Sequence, residues 1–122
     1  METQTVVVTG ASAGIGRAVA RLFGQRGARV ALIARGQAGL EGAARDVEEA
    51  GGQALAISAD VADYDQVSSA ARRVEQRLGP IDVWVNVAFT SVFSPFSEIT
   101  AEEFRRVTEV SYLGFVHALM LE

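Results

Sequence analysis

Eight residues near the start of the chain, Thr9-Gly10-Ala11-Ser12-Ala13-Gly14-Ile15-Gly16, place three glycines between a β-branched run and a segment of helical period. Such a turn leaves backbone N–H groups uncovered at a helix N-terminus. There the aligned peptide dipoles favour an anion by about 0.3–1 kcal/mol, and by up to about 2 kcal/mol when partly buried. A side chain at Gly14 or Gly16 is expected to obstruct the turn or the packing of helix on strand. The chemistry implied is the cradling of a pyrophosphate, with Gly10, Ser12, Ala13, Gly14, Ile15 and Gly16 around it. A second chemical signal stands at Ala34-Arg35, at the end of the next β-branched run. An acidic residue at that point accepts hydrogen bonds from a ribose 2′-hydroxyl. Alanine cannot, whereas the Arg35 guanidinium can pair bidentately with a 2′-phosphate. Hydrogen bonds to charged groups contribute roughly 1.5–3 kcal/mol, or about a 10- to 150-fold preference. The pair therefore predicts NADP(H) over NAD(H), with Arg17 assisting from the first helical turn.

The elements that must position these residues alternate along the chain. Thr5 to Val8 reads as a buried strand ending at Thr9-Gly10. Ile15, Ala18, Val19, Leu22 and Phe23 then mark one face of a helix closed by Gly27. Arg29 to Ala34 is the second strand. Leu40, Ala43, Ala44 and Val47 mark a helix that stops at Gly51-Gly52. Ala54 to Ile57 is the third strand, and Val67, Ala70, Ala71, Val74 and Leu78 the third helical face, ended by Gly79-Pro80. Ile81 to Val85 is the fourth strand, with Trp84 in the core. After a loop from about Val87 to Ser97, Thr100 and Glu103 read as a capping box that opens a last helix. Four βα units imply right-handed crossovers and an α/β, doubly wound parallel sheet of Rossmann type, in strand order 3-2-1-4. With no linker or repeat, residues 1–122 read as one dinucleotide-binding domain.

Composition narrows the function classes. The net charge is −4, without a basic stripe, which argues against nucleic acid or a membrane surface as partner. Zero cysteines remove disulfides and thiolate metal sites, and no His or carboxylate spacing suggests a metal. The N-terminus lacks a cationic leader, and Val6–Val8 is too short to span a membrane, so a cytoplasmic protein is expected. All 11 basic residues are arginine.

Taken together, these motifs resemble the short-chain dehydrogenases/reductases. Thr-Gly-x-x-x-Gly-x-Gly, at Thr9 to Gly16, is the family's signature. Asp60-Val61 stands where the family contacts adenine, and Asn86-x-Ala88 at its Asn-Asn-Ala-Gly. The resemblance spans Thr5 to about Leu119 and implies cofactor contacts from Asp60, Val61, Asn86, Val87 and Ala88. Three positions depart from the pattern. Phe89 stands where a glycine lets backbone lie close to the cofactor. Ser111 aligns with the asparagine that anchors a proton-relay water. The family's catalytic Ser and Tyr-x-x-x-Lys have no counterpart, because Tyr112 is followed four residues later by Val116 and the chain has no lysine. Tyr112 and the lone His117 read as packing residues of the last helix.

Two functions of different class follow. One is the NADP(H)-binding portion of a short-chain oxidoreductase, which would transfer hydride between nicotinamide and a carbonyl or alcohol. In that reading the chain is truncated relative to the family and inactive alone. The other is a non-catalytic nucleotide-binding or assembly module. Either way a homo-oligomer is expected. Strand four would offer an unpaired edge, and the last helix would expose Phe104, Val107 or Phe115.

Overall fold

Three consecutive valines build the centre of the sheet. The computed structural model describes residues 3–12 and 14–87. Within them β1 (Thr5–Thr9) is buried at all five positions, as a parallel strand covered on both faces must be. Its side chains alternate: Val6 and Val8 point to one layer of helices, Val7 to the other.

The chain continues through α1 (Gly14–Gln25), β2 (Arg29–Ala34), α2 (Gln37–Glu49), β3 (Gln53–Ser58), α3 (Tyr64–Leu78) and β4 (Val83–Asn86). The strands are parallel and lie in the order β3-β2-β1-β4, as expected from the alternation of periods. Helices α1 and α2 cover one face, where Ala20, Leu40, Ala43 and Val47 pack on Val6, Val8, Val30 and Leu32. Helix α3 covers the other, with Val67, Ala70, Val74 and Leu78 against Val7, Ala31, Ile33 and Ile57. Asp63 caps α3 by accepting from the Asp65 and Gln66 amides at 3.0 and 3.3 Å, which ends the preceding loop and starts the helix.

Two elements depart from the sequence reading. The fourth strand begins at Val83 rather than Ile81. Asp82 occupies the preceding ladder position, where its carboxylate accepts from the Thr5 N–H at 2.8 Å and its own N–H donates to the Thr5 carbonyl at 2.9 Å. Helix α1 turns only part of the expected face inward, with Val19 and Phe23 packed against the core. Ile15 and Leu22 are 66% and 51% exposed and Ala18 is exposed, while Gly16, Ala20 and Gly24 are buried. The cause is close packing: a Cβ on Gly24 would meet the Val47 carbonyl oxygen at 2.9 Å, so small residues sit where α1 meets α2. No helix among the described residues is long and apolar enough to cross a membrane. The expected last helix lies outside the described residues.

Candidate functional site

Parallel strands end together, so the four loops that follow them emerge along one edge of the sheet. Thr9 stands opposite Ile33 on β2 and Asn86 on β4, and Ala34 opposite Ser58 on β3. Gly10, Arg35, Ala59 and Val87 therefore leave the sheet side by side. Between β1 and β4 the chain's crossovers change face, and a crevice opens at that point in sheets of this kind.

The β1–α1 turn forms the floor of this edge. Its backbone departs from β1 through Gly10, with φ +66, and the Ala11 N–H donates to the Ile33 carbonyl at 3.4 Å. The two later glycines of the turn serve different needs. Gly14 begins α1 with φ +58, in the left-handed region, while a Cβ there would meet nothing within 4 Å. Gly16 is helical, but its Cβ would lie 2.0 Å from the Gly10 carbonyl oxygen. The sequence reading gave both a steric role in the turn; against the protein's own atoms only Gly16 has one, and Gly14 is set apart by its backbone conformation. The first turn of α1 carries no acidic side chain, so no carboxylate of that turn competes for the amides and dipole at the helix start. Ser12 is half-buried against α2, and Ile15 is exposed.

The end of β2 matches the expected arrangement. Ala34 is 8% exposed and closes the strand, and Arg35 follows it as an exposed residue. The Arg35 carbonyl accepts from the Ser58 hydroxyl at 3.1 Å, which ties its backbone to the end of β3. Arg17 does not join it. Its Nε donates to Asp46 at 2.6 Å, an ion pair that joins α1 to α2. That hydrogen bond holds the Asp46 carboxyl below the ordinary carboxylate range and raises the Arg17 guanidinium further above neutrality. The partner lies 29 residues away, which is why the sequence did not reveal it.

After β3, Asp60 accepts from the Ala62 N–H at 3.0 Å and its own N–H donates to the Gln66 side chain at 2.8 Å. Val61 is buried in the α3-side core, so only its backbone is presented at the edge. After β4, Asn86 and Val87 are both tied to one side chain. The Thr9 hydroxyl donates to the Asn86 Oδ1 at 2.7 Å and accepts from the Val87 N–H at 3.0 Å. Thr9 thus sets the separation of the β1 and β4 loops, a positioning role the sequence reading missed. The sequence offers only a hydroxyl residue closing an apolar strand, a position the structure buries completely. Ala13, Ala88, Phe89 and Ser111 lie outside the described residues. Among those described, no group of three His, Cys, Asp or Glu side chains could hold a metal ion.

Comparison with known proteins gives this geometry a context. The family model described as short chain dehydrogenase matches residues 4–121. Similar relatives include a 3-dehydrosphinganine reductase of Danio rerio, 41% identical over 117 residues, covering 92% of this chain and 35% of the relative. A 3-ketodihydrosphingosine reductase of Mus musculus is 38% identical over 117 residues, with the same coverage of 92% and 35%. Among solved structures, an actinorhodin polyketide ketoreductase with NADPH superposes with a TM-score of 0.89 at 32% identity, covering 97% of this chain and 45% of that one. An alcohol dehydrogenase from Thermococcus sibiricus complexed with 5-hydroxy-NADP gives 0.86 at 35% identity, covering 98% and 51%. The chain spans about a third to a half of the length of the proteins it matches.

Proposed function

The chain belongs to the short-chain dehydrogenase family, and on that premise we propose that it is the NADP(H)-binding portion of an oxidoreductase acting on a carbonyl or alcohol. The observation that carries this reading is the β1–α1 cradle. Gly14 holds a backbone conformation at φ +58 that opens onto empty space, beside helix-terminal amides that have no intrahelical partner, with an exposed arginine at the end of the next strand. That donor set fits a pyrophosphate and a 2′-phosphate. The similar ketoreductase and alcohol dehydrogenase hold NADPH and an NADP derivative, which supports the same cofactor here.

Each residue then has a task. Gly10, Ser12, Ala13, Gly14, Ile15 and Gly16 present the loop and the first helical turn to the pyrophosphate. Ala34 leaves room for the 2′-phosphate, and Arg35 pairs with it. Asp60 and the Val61 backbone hold the adenine, and Asn86, Val87 and Ala88 lie along the cofactor beyond β4. When bound, the cofactor supplies hydride exchange, and these residues bind and orient it. Proton transfer needs a different group. With all 11 basic residues arginine, no Tyr–Lys pair lies within the 122 residues, and Ser111 at the family's asparagine position does not replace it. These 122 residues alone are therefore expected to bind the cofactor without reducing a carbonyl.

Isothermal titration tests the cofactor assignment. NADPH is expected to bind at least about tenfold more tightly than NADH, and Arg35→Ala to erase most of that difference. Equal affinities in the unaltered chain would remove the role given to Arg35.

One observation favours a second reading, an assembly module. Among the described residues β4 ends the sheet, with Val83, Trp84 and Val85 only half-buried. Pairing of two copies along this edge would cover them.

A further inference from the structure

Helix α2 touches the β1–α1 turn at a point where no side chain fits. Gly39, in the first turn of α2, lies against Ser12: a Cβ added there would stand 2.8 Å from the Ser12 Cβ and 2.9 Å from the Ser12 carbonyl oxygen. Ordinary carbon–carbon contact is about 3.5–4.0 Å, so one methyl group would be roughly 0.7 Å or more too close. Something must move, and the surroundings decide what. Helix α2 cannot tilt away freely, because it is joined to α1 along its length. Arg17 binds Asp46 at 2.6 Å and lies against Gly42, and Val47 packs on Gly24. Leu40, Ala43 and Val47 further anchor α2 in the core. Ser12, by contrast, sits half-buried in a turn. The turn is the side that yields.

We propose that Gly39 is a positioning residue for the dinucleotide: the missing side chain lets α2 set the depth of the pyrophosphate loop at Ser12. This rests on the cofactor reading above. The three atoms nearest a Cβ at Gly39 all belong to Ser12, and the inference follows from how closely the two segments approach. Alanine is the better helix former, but the overlap with the Ser12 Cβ and carbonyl oxygen offsets that gain, so Gly39→Ala is expected to lower stability modestly. At the same time it displaces Ser12 and the amides that must face the pyrophosphate. Dinucleotide affinity is expected to fall while the fold is kept.

The experiment compares the unaltered chain with Gly39→Ala, using three ligands and two measurements on the ligand-free protein. Titration with NADPH and NADH is expected to show both weakened by about tenfold, since sub-ångström misplacement of binding groups costs on this scale. Adenosine 2′-monophosphate lacks a pyrophosphate, and its affinity is expected to stay within about twofold. The chain should unfold cooperatively with a thermal midpoint lowered by less than about 10 °C, and amide shifts in an NMR spectrum should change from Gly10 to Gly16. NADPH affinity within twofold of the unaltered chain, or a parallel loss of adenosine 2′-monophosphate, would overturn the inference. Loss of the cooperative thermal transition, or amide shifts spread through α2 instead of centred on Gly10 to Gly16, would overturn it as well, by showing that the methyl disrupts α2 instead. An unaltered chain that binds neither dinucleotide would sink the cofactor reading, and this inference with it.

Discussion

Replacing Gly16 by alanine puts a methyl group where the turn has no room. The new Cβ would stand 2.0 Å from the Gly10 carbonyl oxygen, 2.7 Å from its carbon and 3.2 Å from the Ala11 Cα. All three are backbone atoms, so no rotamer change relieves the overlap. Overpacking costs about 1–3 kcal/mol where side chains can adjust, and here the upper end, about 3 kcal/mol, is expected. For a small domain the urea slope is about 1–3 kcal/mol per molar, which places the loss at roughly 1–3 M in midpoint. Gly14→Ala is the comparison. Its Cβ meets nothing within 4 Å, but the backbone holds φ +58. Left-handed backbone costs an L-residue about 1–2 kcal/mol, and lower entropy of the unfolded chain returns about 0.4–1 kcal/mol of that. The net loss is about 1 kcal/mol, well under that at Gly16. Urea unfolding followed by circular dichroism measures both. Gly14→Ala costing as much as Gly16→Ala would refute the division between a glycine kept for its conformation and one kept for space.

Two other outcomes are expected. The Asp46 carboxyl is held below its ordinary value by the hydrogen bond from Arg17, so its contribution is complete above the unfolded value of about 4 and is lost as pH falls below that toward the lowered folded value. The gap in urea midpoint between the unaltered chain and Asp46→Asn should be open at neutral pH and close on acidification below about pH 4; a gap that widens there would contradict the assignment. Light scattering at roughly tens of micromolar should detect a dimer or larger species if β4 pairs between copies, and a stable monomer would exclude that assembly.

How far the sequence could be read depended on what kind of packing each segment makes. Helix α3 is legible because its valines and leucine fall on one face with the alanines between them: Val67, Ala70, Ala71, Val74 and Leu78 are all buried, as their spacing implies. Helix α1 is legible only in part, through Val19 and Phe23, which pack against the core. Where it comes closest to its neighbours the residues are Gly16, Ala20 and Gly24, which carry little hydrophobic signal, while the apolar Ile15 and Leu22 face solvent. The strand order followed from alternation of the two periods, and the glycine turn and Arg35 from their offsets to the strands. The contacts that fix the edge were hidden for a simpler reason. Thr9 with Asn86, Arg17 with Asp46 and Gly39 with Ser12 each join residues far apart in the chain, and no local pattern encodes such a pair.

The place of β1 at the centre of the order β3-β2-β1-β4 bears on the sequence of events in folding. Its pairing with β2 joins Thr5 to Arg29, and β2 pairs with β3 through Arg29 and Gln53, both over 24 residues. Pairing with β4 joins Val6 to Val83, over 77. Closing the longer loop costs about 1 kcal/mol more chain entropy, so the three-stranded half can form while the far side of β1 still waits. Once synthesised, the first strand spends that interval with one edge open. The hydroxyl of Thr9 can meet Asn86 only when that pairing closes, so the junction of β1 with β4 is expected to assemble last. Any ligand held there would select the chain that has completed its sheet over one that has formed only the first half.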